Sequence, residues 1–573
     1  MGCGFLDPEH LSLEQLHAQN LISHLDYYFA VTTANVFPSC HPLARIALAL
    51  VSRALGAGQI CLDLNDPPPL VPLEDLGTGI ALPPGEEWIA ALDGDPMVAR
   101  AGEGGICPLV LDGQGHLFLR RYYDFQCRLA ANLAQRMGKA SMAMDPAFIS
   151  RQLSRHFGAA TPETMGQQRA VEKALTHDFV VISGGPGTGK THITRVIQAS
   201  LDAWVANSSP LRVLTLAPTG KAAARLKGGR TIHSALVPRM DRPGFRHGRN
   251  NPLAADLVIV DEASMIDLAL MTRLMEAIPP RAKVILLGDG HQLSPVQAGA
   301  VFWEICQIPC LESHRAVLTH NFRSQGKTGI ENLGWAVNQG DEGAVSQILS
   351  QQNYPDLIFM DPDKTPDIET RLRKIIGDGY HSLVSAKDSG QALERLDEFR
   401  VLCAHNNGPS GRLPINHLCE KILRNPLDFA IKERFLEGMI IIQTNDYKRG
   451  LFNGDTGIVY TEDGMNRADF PGENGEIRSF RYRDLPAHET AWAMTIHKSQ
   501  GSEFDRVLIL FPDTLSRAVT RELLYTGITR ARKQAIIIGK MDVIQRAVTV
   551  SMDFTRTLGP ALEEEVGCDE KVD

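Results

Sequence analysis

Aromatic residues make up only 6% of this chain of 573 residues, so no base-stacking platform can be read from the sequence. Ten cysteines are scattered without paired spacing. The closest pair, Cys306 and Cys310, lies in an apolar run, and no second pair completes a zinc or iron–sulfur set; free thiols suit a reducing cytosol. The N-terminus, MGCGFLDPEHLSLEQL, lacks the basic-then-apolar order of a secretory leader, and position six is Leu6 where myristoylation wants Ser or Thr. The most apolar early run, HPLARIALALVSRALGAG, is broken by Arg45 and Arg53 and is too short to span a bilayer. A soluble, cytoplasmic protein with no membrane contact is expected. Positive charge is also missing overall: the formal net charge is −9, which excludes wholesale coating of nucleic acid but leaves room for a local basic channel. No repeat recurs at a fixed period.

The length is too great for one hydrophobic core and predicts three or four units. Up to about residue 115, helical patterns alternate with breaks such as NDPPPLVPLEDLGTG and carry no catalytic constellation, which suggests a docking module. From 116 to 335, short β-branched runs (FVVIS, RVLTLAP, DLVIVDEAS, KVILLGD) alternate with helical segments. That pattern fits strands buried on both faces of a parallel sheet with helical crossovers. A second α/β pattern occupies 336–573. Within it, about 428–488 switches to alternating strands with the turns FNGD and EDG, a small β-barrel-like insertion. The acidic tail LEEEVGCDEKVD is expected to fray.

Chemistry concentrates in GGPGTGKT, which fits G-x-x-x-x-G-K-[ST] at every fixed position. The backbone of Gly184, Gly185, Pro186, Gly187, Thr188 and Gly189 would cradle phosphates at a helix N-terminus. Lys190 would neutralise the β- and γ-phosphates, and the Thr191 hydroxyl would ligate Mg²⁺. LVIVDEAS supplies the other half: Asp261 for the metal and Glu262 to polarise the attacking water. ATP with Mg²⁺ is the expected pair. LLGDGHQLSPV adds Gln292, an amide able to report loss of the γ-phosphate. LTHNFRS and YTGITRARK add Arg323 and Arg530, arginines that would stabilise the transferring phosphoryl group across a cleft.

The order Q-x-x-A, GGPGTGKT, APTGKAA, TIH, DEAS, GDxxQL, NFRS, TIHKSQGSEF and YTGITRARK resembles superfamily 1 DNA helicases over about 165–540. The resemblance implies two RecA-like motor domains. In these, Gln167 (or its neighbour Gln168) would read adenine, and Gly501 and Glu503 would lie close to the nucleotide. Thr219, Lys221, Thr231 and His233 would touch single-stranded DNA from the first motor. Thr495, His497, Lys498, Ser499 and Gln500 would do so from the second. The insertion before TIHKSQG is similar to an SH3-like module of the 5′-to-3′ branch. The N-terminal module resembles that of a motor subunit in a bacterial heterotrimeric helicase–nuclease. This implies RecB-like and RecC-like partners, the 5′-ended strand at a duplex end as substrate, and double-strand break repair as the setting. Only about forty residues follow TRARK, with no clustered carboxylates for a two-metal site, so nuclease activity is expected on a partner. A nucleotide-switched regulatory subunit, a free-standing helicase of related type and an RNA helicase are the alternatives. The basic stretch RMDRPGFRHGRNNP, with Arg239, Arg242, Arg246, His247 and Arg249, fits either a strand-path contact or a solvated hairpin.

Overall fold

The computed structural model describes the chain except residues 1–11, 68–69, 71–81, 139–143, 206–209, 240, 323–327, 352, 425–435, 447, 473–475, 517, 553 and 570–573, and the side chains of 568–569. Its N-terminal module packs helices around Pro42–Gly56, whose face Ile46–Val51 is buried. A four-stranded sheet completes it, in the order Cys61–Asp63, His116–Leu119, Leu109–Leu111, Val98–Arg100. His116–Leu119 pairs with Cys61–Asp63 and so belongs to this sheet. A linking helix, Arg120–Met137, then runs directly onto the first motor.

That motor is a six-stranded, all-parallel sheet in the order Arg315–Leu318, Phe179–Gly184, Lys283–Gly288, Leu257–Val260, Val213–Ala217, Arg230–Thr231. Phe179–Gly184, Lys283–Gly288 and Leu257–Val260 are buried at every residue, as expected of strands covered on both faces. The second motor is a five-stranded parallel sheet: Leu357–Met360, Ala531–Ile538, Phe504–Leu510, Phe399–Cys403, Ala493–Thr495. Its core already contains Ile330 and Leu333, on the helix Gly329–Gln339. That helix packs with the second motor. Strand C-terminal ends of both sheets face the loops that carry the motifs, the position where open α/β sheets bind ligands.

Between the last strands of the second motor lies an antiparallel five-stranded sheet ordered Ile477–Arg481, Met465–Pro471, Thr456–Glu462, Leu436–Ile442, His488–Thr490. Its edge strands do not pair with each other, so closure into a barrel is not seen; part of the expected insertion, 428–435, lies outside the described residues. The tail corrects an expectation. Residues Leu558–Asp569 form a helix, and Leu558 and Leu562 are buried in the first motor's core. Burial of these two leucines ties the helix down, while residues 570–573 of the acidic stretch lie outside the described residues. Among the described residues no helix is long and apolar enough to cross a membrane.

Candidate nucleotide and nucleic-acid site

The loop after Phe179–Gly184 turns through Gly187 at φ +80° and Gly189 at φ +87°. A side chain on Gly189 would also strike the Gln167 amide at 2.2 Å, so only glycine serves there. The helix Lys190–Trp204 begins immediately afterwards. The Lys190 ammonium donates to the carbonyls of Gly184 at 2.5 Å and Gly185 at 3.2 Å, folded over the cradle its own loop creates. Thr188 donates its hydroxyl to the Gly185 carbonyl at 2.8 Å. Gln167 is buried and donates to the Thr188 carbonyl at 3.0 Å. Gln168 instead donates along its own helix to Thr164, which separates the two glutamines: Gln167 belongs to the loop.

Asp261 and Glu262 follow Leu257–Val260 at the strand's C-terminal end. Asp261 accepts from the Glu262 N–H at 2.9 Å. Glu262 is held at φ +53°, a left-handed conformation that costs a non-glycine residue about 1 kcal/mol or more and is seen where a site needs it. Burial pushes the Glu262 carboxyl above the ordinary carboxylate range. Asp261 and Asp289 push the same way; Lys190 and Arg530 oppose them. Burial and the neighbouring carboxylates thus both disfavour the charge on Glu262, and the two cations offset them only in part.

The second motor closes over this arrangement. Tyr525 donates its hydroxyl to Asp289 at 3.1 Å, the same carboxylate oxygen that accepts from Gln292 at 3.0 Å. That hydroxyl lies 2.9 Å from where a side chain on Gly185 would project, so Tyr525 sits over the phosphate loop. Gln500 donates to the Leu293 carbonyl at 2.9 Å, and Leu293 donates its N–H to Thr526 at 3.0 Å. Arg530 is 2% exposed and donates to the carbonyls of Thr526 at 3.0 Å and Ser502 at 2.9 Å. Two carbonyls orient its guanidinium, and among the described residues no carboxylate forms an ion pair with it, which leaves its charge available to an anion. Gly501, at φ +69°, stands 3.5 Å from the Thr219 hydroxyl as measured from an added Cβ, and Glu503 pairs with Arg532 at 3.4 Å. Arg323 lies outside the described residues; its neighbour Phe322 donates its N–H to the Gly187 carbonyl at 3.0 Å.

The residues expected to touch a strand fall into two groups. Thr219 and Thr231 accept from the N–H groups of Ala222 and Ser234, capping short helices, and Thr495 accepts from the Lys498 N–H at 3.4 Å. His233 stacks edgewise on Phe245 at 5.6 Å, and burial lowers the pKa of His233 and of His497. The rest are already engaged inside the protein. Lys221 reaches across the cleft to Asp397 at 3.4 Å and lies over the Phe504 ring. Burial pushes its ammonium down to about 8, with Asp397 pulling the other way. Lys498 pairs with Glu489 at 2.5 Å, Ser499 donates to the Ile496 carbonyl at 2.6 Å, and Gln500 holds Leu293. Sequence reasoning missed Tyr525, Asp397 and Phe452, the last packed on Gly220. Tyr525 opens the stretch YTGITRARK and was legible there; Asp397 and Phe452 stand in no motif.

Three family models match: an AAA domain over residues 167–298, a UvrD-like helicase C-terminal domain over 490–538, and the N-terminal domain of the RecBCD enzyme subunit RecD over 18–117. Among similar proteins, the RecBCD enzyme subunit RecD of Mycolicibacterium smegmatis is 34% identical over 88% of this chain and 90% of its own length. That of Haemophilus influenzae is 27% identical over 96% and 99%. The ATP-dependent RecD2 DNA helicase of Deinococcus radiodurans is 31% identical over 68% of this chain and 51% of its own. A Pif1 helicase from Bacteroides, solved in complex with ADP-AlF3 and ssDNA, is 18% identical over 72% of this chain with a TM-score of 0.41.

Proposed function

We propose, from the fact that this chain belongs to the RecBCD enzyme subunit RecD family, that it is the 5′-to-3′ translocase of a heterotrimeric helicase–nuclease that processes double-strand breaks in the cytoplasm. The chain is an ATP-hydrolysing DNA helicase. Its N-terminal module docks on a RecC-like subunit, a RecB-like subunit supplies the nuclease, and the antiparallel insertion is an SH3-like module on the strand path.

The observation that carries the motor reading is one crevice shared by two sheets: Lys190 and Glu262 from the first, Tyr525 and Arg530 from the second. When ATP enters, its phosphates displace the Lys190 ammonium from the Gly184 and Gly185 carbonyls and take its charge. Thr191 and the carboxylate oxygen of Asp261 that accepts no hydrogen bond would hold Mg²⁺, a hydroxyl and carboxylate set suited to that hard cation. When bound, Mg²⁺ would neutralise charge on the phosphates. Glu262, its basicity raised by burial, orients the attacking water and accepts its proton. Arg530 draws the second motor onto the charge that develops at the γ-phosphoryl group, the role expected also of Arg323. Gln292 links that group to Asp289 and so to Tyr525. Loss of the phosphate frees the second motor, and the hydroxyls and imidazoles of Thr219, Thr231, His233, Thr495 and His497 alternate their hold on backbone phosphates without reading sequence.

The deciding experiment is strand displacement on duplexes bearing only a 5′ or only a 3′ overhang, read beside single-strand-stimulated ATPase. Unwinding from the 5′ overhang alone is expected, with Lys190→Gln abolishing turnover while the fold survives. An ATPase indifferent to DNA would sink the proposal.

A further inference from the structure

The stretch RMDRPGFRHGRNNP folds as a hairpin, with Pro238 bridged to Phe245 and Gly248 to Asn251. Its Phe245 ring begins a continuous series of contacts. His233, one of the expected strand contacts, packs on Phe245 at 5.6 Å. Arg273 lies 5.6 Å from the same ring on one side and 5.7 Å from the Phe125 ring on the other. Phe125, on the linking helix, carries two more guanidinium groups, Arg121 at 5.6 Å and Arg128 at 5.3 Å. Three arginines therefore crowd one phenyl ring, and a second ring connects them to the first motor's own loop.

Arginines usually meet in pairs with carboxylates, and here the supply is short. Glu276 is shared by Arg128 at 2.5 Å and Arg249 at 3.2 Å. Asp124 stands near Arg120 at 3.8 Å and Asp241 near Arg242 at 3.9 Å. Asp267 caps the helix that bears Arg273, accepting from the Leu270 N–H at 2.9 Å. Among the described residues no carboxylate forms an ion pair with Arg121 or Arg273. Burial disfavours the charge on Arg273, and Arg121 and Arg128 add to that cost, with Glu276 and Asp267 opposing. An arginine keeps its proton regardless, so the crowding persists as positive potential at the surface. Aromatic faces make such a group tolerable by about 0.5–1 kcal/mol each, and they hold it in place for planar recognition of a phosphate.

We infer that the surface formed by Arg121, Arg128 and Arg273 around Phe125 and Phe245 is a second binding site for single-stranded DNA, gripping the sugar–phosphate backbone beyond the motor's own contacts. It rests on the single-strand reading above and extends it: the strand, on passing Thr231 and His233, is carried along this arginine–aromatic track toward the N-terminal module. The net charge of −9 makes so concentrated a basic surface a steering element as well, since local and not total charge sets the approach of a polyanion.

The test uses the full chain and fluorescence anisotropy with labelled oligothymidine of about 8 and about 20 nucleotides, lengths on either side of one binding unit. Arg121→Gln combined with Arg273→Gln is expected to weaken the longer oligonucleotide about tenfold. The slope of log affinity against log salt should fall by about 1.5 for two lost phosphate contacts. Binding of the shorter oligonucleotide, and the ATPase it stimulates, should stay unchanged. Arg121→Lys, which keeps the charge at an exposed position, should retain most of the affinity. Equal weakening on both lengths, or none on the longer, overturns the second site. A wild-type protein that binds neither oligonucleotide overturns the single-strand reading itself, a separate and recognisable failure.

Discussion

Two seams join the motors, and they are built on opposite principles. The cleft seam is mostly polar, with one apolar side chain, Leu293, buried among those of the second motor: the Tyr525–Asp289, Gln500–Leu293 and Leu293–Thr526 hydrogen bonds, and the Lys221–Asp397 ion pair. The second seam is made by the tail, which leaves the second motor and returns to the first. Leu558 and Leu562 enter the first motor's core. Gln126 and Thr557 bond each other, and Phe554 packs on Trp303. Hydrogen bonds across an interface exchange with water at a net value of about 1 kcal/mol each, so the cleft seam can open and close within a catalytic cycle. Burying two leucines contributes about 1.5–3 kcal/mol apiece, and the tail seam stays shut. A motor needs both: one contact to move and another to keep the moving parts together.

The sharpest way to break this contrast is to find a residue whose loss affects both stability and turnover. Arg530→Lys, which keeps a cation within reach of the Thr526 and Ser502 carbonyls, is expected to lower ATP turnover about a thousandfold and to shift the melting temperature less than Leu562→Ala does. Steady-state kinetics and calorimetry on the same preparation check it. Leu562→Ala should do the reverse. A buried leucine truncated in a packed core costs about 2–5 kcal/mol, with turnover per folded molecule near the wild-type value. If the thermal loss falls below about 1 kcal/mol, the tail is not the holding seam.

The sequence announced the cleft seam far better than the tail seam. The phosphate loop, DEAS and YTGITRARK are constrained residue by residue by the chemistry of phosphate, so their spacing identifies them, and Lys190, Glu262, Gln292 and Arg530 gather around one crevice. The parallel sheets were equally readable, since strands buried on both faces must be uniformly apolar. Lys221 shows the limit. Its motif raised the expectation of a strand contact, yet only the fold brings Asp397, 176 residues away, against it. The tail was misread because the run of glutamates is visible in the letters, whereas the apolar groove that receives Leu558 and Leu562 is assembled from distant segments.

Glu304 offers a pH test of the holding seam. It accepts from the N–H groups of Leu558 at 2.6 Å and Gly559 at 3.4 Å. Burial nevertheless pushes its carboxyl from 4.5 up to about 7, those backbone donors and Arg556 only partly offsetting it. Between those two values the folded protein holds a proton that the unfolded chain has lost, so stability falls as pH rises through the window and is level on either side. The swing amounts to roughly 3 kcal/mol. Glu304→Gln, with a neutral side chain whose oxygen still accepts, should flatten the melting temperature between pH 5 and 7 and raise it at pH 8 relative to wild type. An unchanged slope in the variant assigns the pH response elsewhere.

Tyr525→Phe is the smallest change and the most direct probe of whether the seams are independent. It removes one hydroxyl, the donor to Asp289 at 3.1 Å, and leaves the ring in place. Gln292 still donates to the same carboxylate, so Asp289 is not stranded. The closed cleft should lose about 1 kcal/mol, seen as a fall in turnover of roughly fivefold, with a melting temperature within about one degree of wild type. Combined with Leu562→Ala, the effects on turnover and on stability should each add, since the hydroxyl and the leucine share no partner. A coupling energy above about 0.5 kcal/mol in the double-mutant cycle would mean that the tail transmits force to the cleft instead of merely holding the motors together.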